Sequence, residues 1–284
     1  MSSPRATVRE LSADLAAEHA DLSEMLGTLD EGAFATSTAS PGWSVADQIA
    51  HLAWFDRAAT SAIMDPEGFA ARVTATLATV EPGADFATEL LAGGRALAPA
   101  DLLSEWRAAA RELVAATAFV ADGTRLPWYG PSMGAVSFLT ARLMETWAHG
   151  QDVADALGLR RVATDRLRHV AQLGVLTYRW SFSVRGLPVP DARIAVDLEL
   201  PGGARFVTTA GSGPPPGSGS AGLVAPEGSG SFIAGSAFEF CLVVTQRRHI
   251  SATGLTVGGP EAAAWMEVAQ AFAGPPTEGP RPER

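Results

Sequence analysis

The chain contains no lysine, one cysteine and two tyrosines in 284 residues. Each scarcity excludes something. With Cys241 alone, no internal disulfide can form, and a cysteine-rich structural zinc site cannot be built. The segment around it, "SAFEFCLVVT", is apolar and reads as a buried core thiol in a reducing compartment. Long hydrophobic runs are missing too: none approaches the ~18 residues that a membrane span needs. The opening "MSSPRATVRE" has no apolar segment of the signal-peptide kind, so a cytoplasmic location is expected. All 21 basic residues are arginine against 31 acidic ones, a net charge of −10. That balance argues against nucleic-acid or membrane partners, which call for a basic patch. Arginine without lysine, alongside abundant Ala and Gly, fits a GC-rich codon bias.

What is present is apolar and helical. Hydrophobic residues make up 47% of the chain, enough for a sizeable core. The first half carries 3.6-residue periodicity over residues 6–26, from about 44 ("SVADQIAHLAWFDRAATSAIM"), over about 100–121, and through "RLMETWAHGQDVADALG" at 142–158. Ser44 and Asp47 form a box-like helix start, and Gly158 supplies a stop. Residues 65–99, broken by Pro and Gly, are expected to hold short helices. The pattern predicts a four-helix bundle with a decorated second crossover.

After a further helix at about 164–184 the texture changes. "ARIAVDLEL" and "ARFVTTA" alternate like strands joined across "PGG". A Gly/Pro/Ser-rich loop follows at 211–231, then helices around 236–248 and 261–272 and a frayed tail. The expected fold class is therefore α+β in two parts: a bundle at 1–160 and a small α+β domain at 161–284. The second part shows no catalytic triad, phosphate loop or metal motif, and suits pocket closure or dimerisation; a monomer or a homodimer is expected.

One helical stretch carries the chemistry. Arg142, Glu145, His149 and Asp152 recur at steps of three and four, on one face of a helix that is otherwise largely apolar. A charged stripe facing a bundle core needs partners or a metal; a solvated face is the plain alternative. Glu145 and His149 lie one turn apart, so their heads can meet on one ion. His51, on the flank of the Val45/Ile49/Leu52/Ile63 stripe, is the candidate third ligand; alone, it would read as a hydrogen-bonded structural histidine. His19, His169 and His249 lie in more polar segments and are weaker candidates. Two His and one Glu is a catalytic zinc set that leaves positions open for water or substrate.

These segments resemble a known family. "WSVADQIAHLAWFD" is similar to the histidine-bearing second helix, and "METWAHGQDVADALG" to the Glu-x3-His-x2-Asp helix, of the DinB-like superfamily in its mycothiol-dependent maleylpyruvate isomerase branch. "FEFCLVVTQRRH" and "AWMEVAQAFAGPP" resemble the C-terminal part of an actinobacterial branch. The resemblance implies a divalent metal, zinc foremost, on His51, Glu145 and His149, and mycothiol as cofactor or transferred group. The expected partners are that thiol and a small electrophilic substrate.

Around the ligands, Arg142 is a candidate catalytic residue that would hold a substrate carboxylate or enolate oxygen; a partner for Glu145 or a surface arginine are the alternatives. Asp152, also a catalytic candidate, would orient a ligand histidine or accept a proton, unless it is simply exposed. Trp128 and Tyr129 in "LPWYGPSMG" are candidate cofactor-binding walls, or a lid without chemistry. The reading is a mycothiol-dependent transferase or isomerase. A thiol-independent metal-dependent lyase, cyclase or hydrolase and a non-catalytic metal-binding or stress-response protein are the rivals.

Overall fold

The computed structural model describes residues 6–79, 86–212, 230–274 and 276. The chain divides into two compact units, one ending at Arg161 and the other beginning at Val162.

In the first unit four long helices form the bundle: α1 (Val8–Gly27), α2 (Val45–Met64), then α5 (Pro99–Ala116) and α6 (Ala135–Leu157). Two shorter helices, α3 (Pro66–Thr79) and α4 (Phe86–Arg95), fill the crossover from α2 to α5. A short antiparallel pair, β1 (Arg125–Leu126) and β2 (Met133–Gly134), precedes α6. Each long helix packs on two others: α2 on α5 and α6, α1 on α5 and α6. The apolar stripes explain this. Leu11, Leu15, Leu22 and Leu26 of α1, Ile49 and Leu52 of α2, Trp106 and Leu113 of α5, and Leu139 and Leu143 of α6 are all essentially inaccessible to water.

Helix ends follow local chemistry. Both α1 and α2 begin with capping boxes, Thr7 with Glu10 and Ser44 with Asp47. Asp47 also accepts a 2.8 Å bond from Arg95 Nε, which ties α4 to the start of α2. The third long helix ends at Ala116 rather than near 121, because the chain tightens into a 3-10 turn at Thr117–Phe119.

In the second unit a four-stranded sheet has the order β4-β3-β5-β6, formed by β3 (Arg193–Glu199), β4 (Arg205–Gly211), β5 (Ser231–Ser236) and β6 (Thr256–Gly258). The β3/β4 hairpin and the β5/β6 pair are antiparallel, whereas β3 and β5 run parallel. The helix expected over 164–184 is two helices, α7 (Leu167–Leu176) and α8 (Tyr178–Ser183). They part at Thr177, whose hydroxyl bonds the carbonyls of Leu173 and Gly174. Helix α9 (Ala237–Val244) stops short of 248, where Gln246 takes a left-handed φ of 61°. Helix α10 (Pro260–Val268) starts one residue early, at a proline in the first helical position. Of the expected loop 211–231, residues 213–229 lie outside the described residues, while Gly211 closes β4 and Ser231 opens β5. No helix among the described residues is long and apolar enough to cross a membrane.

Gly158 ends α6 in the left-handed region, φ 64°, with nothing within 4 Å of the position a Cβ would take. Only backbone strain opposes a side chain there. Gly158→Ala should therefore cost about 1 kcal/mol in urea unfolding, and Gly158→Asn less.

Candidate functional site

The loop at 36–44 delivers the chain into α2 and builds one wall of the site. On α2, His51 points across the bundle toward α6, where Glu145 and His149 stand one turn apart. His51 Nε2 lies 3.2 Å from Glu145 Oε2, and His149 Nε2 lies 3.0 Å from the same oxygen. One ligand-type atom from each of the three residues falls within 4.8 Å of the other two. The sequence-derived trio is thus brought together. The carboxylate side chain keeps 25% of its surface open to solvent.

Gln48, which nothing in its local sequence marks out, holds the arrangement. Gln48 is fully buried, and its Oε1 accepts the Nδ1–H of His149 in a short hydrogen bond. Its own amide donates to Thr38 Oγ1 at 2.8 Å and Ser40 Oγ at 3.2 Å; the Thr38 hydroxyl already donates to the Trp43 carbonyl, so it accepts from the Gln48 NH2 end and leaves the amide oxygen facing His149. With Nδ1 protonated, the His149 Nε2 lone pair faces the Glu145 carboxylate. Only a positive charge between them, a proton or a metal ion, makes that contact favourable. Ligand atoms about 2.0–2.1 Å from a tetrahedral zinc stand about 3.3 Å apart, close to the spacings here. The residues therefore fit a divalent ion.

Aromatic rings enclose the histidines. Trp43 stacks on His149, with centroids 6.1 Å apart and planes 16° apart, and Phe55 lies 4.6 Å from His51. Burial and the neighbouring His149 push the His51 imidazole down to about 4, against the pull of Glu145. Burial also works against the Glu145 charge, but the close approach of the two histidine rings outweighs it and holds the carboxyl well below its usual range.

The other expected residues land as follows. Asp152 is buried, with Oδ2 3.8 Å from His149 Nδ1, on the same side as Gln48. Trp128 and Tyr129 join Phe55 and Phe69 in an aromatic cluster beside the site; Trp128 stacks on Phe69 at 5.8 Å, and Tyr129 meets Phe55 edge-on at 5.7 Å. Burial raises the Tyr129 hydroxyl above its ordinary value, so it stays a phenol at neutral pH.

Arg142 differs from expectation. It is 3% exposed and gives Nη2 to Asp56 Oδ1 at 3.0 Å, not to Glu145. Its guanidinium sits 5.7 Å from the Phe55 ring centre. A cation this deep needs a buried anion, and Asp56, one turn beyond Leu52 on α2, supplies it. His19, read as lying among polar residues, is buried as well, with Nε2 3.3 Å from Asp56 Oδ2. Burial disfavours the Asp56 charge, but Arg142 and His19 outweigh that and lower its pKa. Only the apolar surroundings of Asp56 in "AWFDRAA" could have signalled this role.

Comparison with known proteins places the fold. The fold is a four-helix bundle with a small sheet-containing C-terminal part, and crystal structures of the mycothiol-dependent maleylpyruvate isomerase and of its histidine-to-alanine variant share it. Both have a TM-score of 0.55, at 18% and 17% identity, and the match covers 89% of this chain and 95% of theirs. The family model for the mycothiol maleylpyruvate isomerase N-terminal domain matches residues 15–154. Two uncharacterised proteins of Mycobacterium tuberculosis, from strains CDC 1551 / Oshkosh and H37Rv, are each 43% identical over 267 residues, 94% of this chain and 96% of theirs. The chain belongs to the DinB-like, mycothiol-associated family.

Two outcomes are expected from this geometry. Asp56→Ala strands a buried guanidinium and should cost about 3–5 kcal/mol in urea unfolding; adding Arg142→Met should restore much of the loss. In metal-free protein, the unfolded chain protonates His51 near 6.5, while the folded chain resists down to about 4. Stability should thus fall as pH drops through that window, and His51→Asn should flatten the slope of Tm against pH.

Proposed function

We propose that this protein is a metal-dependent enzyme that uses mycothiol as cofactor or transferred group on a small electrophilic metabolite, as an S-transferase or isomerase. The observation that carries this reading is the convergence of His51 Nε2, His149 Nε2 and Glu145 Oε2 on one point that needs a cation. Family membership supports the thiol, and the chain's own cysteine supports it from the other side. Cys241 is fully buried in the second unit, and burial pushes its thiol well above the ordinary range. A nucleophilic thiol must therefore come from outside the chain.

His51, Glu145 and His149 would hold a divalent ion, zinc foremost. Such an ion supplies Lewis acidity and favours the thiolate form of a bound thiol. Two neutral histidines and one carboxylate offset only one of its two charges, so an anionic sulfur is a matched further ligand. Gln48 fixes the His149 tautomer, so that Nε2 is the nitrogen offered to the metal. Asp152 adds negative charge on the Nδ1 side of the same ring. Trp43 and Phe55 keep bulk water off the imidazoles, and Trp128 and Tyr129 extend that apolar wall. Arg142, held by Asp56, contributes a fixed positive charge near Phe55 and would favour negative charge developing on the substrate.

Protein purified without added metal should carry one divalent ion per chain by elemental analysis. His51→Ala and His149→Ala should each lose most of it with helical content nearly unchanged. Gln48→Leu should weaken metal affinity about 10–100-fold. If His51→Ala keeps full occupancy, the ligand set is wrong. Mycothiol added to cobalt-substituted protein should produce sulfur-to-metal charge-transfer absorption, and turnover of electrophiles should require the thiol. An unchanged spectrum with thiol-independent turnover would favour hydrolase or lyase chemistry instead.

A further inference from the structure

The turn that leads into α2 is specified by its own sequence. In Ser40-Pro41-Gly42-Trp43 the Trp43 N–H donates to the Ser40 carbonyl at 3.0 Å, and Gly42 takes a φ of 76°. Proline second and a left-handed glycine third are the pattern of a type II turn. Around it a small hairpin closes: the Thr38 N–H donates to the Trp43 carbonyl at 2.8 Å, and Ser37 pairs with Ser44 in an antiparallel bridge. The Trp43 carbonyl is thereby fixed in place. It takes a second bond, at 3.1 Å, from the Thr38 hydroxyl. A carbonyl has two lone pairs, so both bonds are made at once.

The direction of that second bond passes along a chain of side chains. The Thr38 proton is spent on Trp43, so Thr38 Oγ1 meets the Gln48 NH2 group as an acceptor, at 2.8 Å. The amide oxygen is left for His149 Nδ1. The same atoms admit a second arrangement. With the amide turned over, its NH2 would meet Nδ1, and Ser40 Oγ would donate to its oxygen. His149 would then carry its proton on Nε2, against Glu145 Oε2. Every group would be satisfied, but the nitrogen facing the ligand cluster would be blocked. Trp43 bears on the same imidazole from its face, where the indole stacks on it. One residue thus supports His149 twice, by its ring and, through Thr38 and Gln48, by its carbonyl.

We infer that Thr38 is a positioning residue for the candidate metal centre: its hydroxyl, oriented by the Trp43 carbonyl, sets the Gln48 amide and so keeps His149 Nε2 free of its proton. The inference rests on the proposed ligand set of His51, Glu145 and His149. Without the hydroxyl, the amide meets only Ser40, which donates as readily as it accepts, and nothing holds its polarity. Ligand histidines depend in this way on the bond made by their other nitrogen.

The test is the His149 tautomer in metal-free, full-length protein. It is read from long-range proton–nitrogen correlation spectra of histidine-labelled samples, with His149→Gln assigning the ring. Wild type should show Nδ1–H. Thr38→Val keeps the branched shape without the hydroxyl; it should populate Nε2–H and weaken zinc, measured by chelator competition, about tenfold or more. Thr38→Ser should match wild type in both. Ser40→Ala should keep Nδ1–H, because the Thr38 hydroxyl remains. A merely structural role for Thr38 would lower Tm without moving the tautomer. Wild type in the Nε2–H form, or Thr38→Val that keeps Nδ1–H as wild type does, would overturn the proposal. So would Ser40→Ala in the Nε2–H form, which decides the matter even if Thr38→Val does not fold, or zinc affinity that ignores a shifted tautomer. Should wild type take up no zinc, the ligand set fails, and the tautomers still decide the role of Thr38.

Discussion

Charge buried on the inward face of α6 is the constraint on which the first unit is organised. Arg142, Glu145, His149 and Asp152 project from a helix whose remaining surface is packed, and Arg142, His149 and Asp152 are each nine-tenths buried or more. Isolated charges at such depth cost several kcal/mol each, so every one must find a counterpart on a facing helix. Helix α2 supplies most of them: His51 for Glu145, Gln48 for His149 and Asp56 for Arg142. The α2–α6 register is then fixed by polar pairing as much as by leucine packing, because a slip of one turn would strand all three.

The same pairing divides the helix into a closed half and an open half. Arg142 and His19 both approach the Asp56 carboxylate in the dry interior, an arrangement that places positive charge and a polar ring against one buried anion. Glu145 and the two histidines lie nearer the surface, and Gln48 turns the His149 Nε2 lone pair toward the carboxylate. A carboxylate with two imidazole nitrogens about 3 Å from one of its oxygens forms a good cation site. The closed half holds Arg142 against Phe55, and Phe55 against His51. The interior salt bridge thereby sets the position of the aromatic wall of the open half.

The second unit contributes what its burial pattern shows: a sheet covered by helices, and a thiol sealed within it. Cys241 Sγ lies 3.6 Å from the Leu167 carbonyl, in the contact between α9 and α7. Its chemistry is packing, which leaves any thiol nucleophile to be recruited from solution.

Sequence alone determined the helices, because a 3.6-residue apolar period and capping residues act within a few positions of one another. Ser44 with Asp47 and the stop at Gly158 were legible for that reason, as was the placing of Glu145 and His149 on one face. Breaks caused by hydrogen bonds within a turn, such as Thr177 between α7 and α8, were not, since the residues on either side keep a helical pattern. The tertiary structure alone decided the partners. Asp56 in "AWFDRAA" and Gln48 in "VADQIAH" look like ordinary helix polar residues until α6 is laid against α2. Arg142 looked free to meet a substrate for the same reason: a charge's counterpart, 86 residues away, leaves no local trace. Pairing across a bundle depends on helix register and crossing, which are set by the packing of whole stripes and not by any short motif.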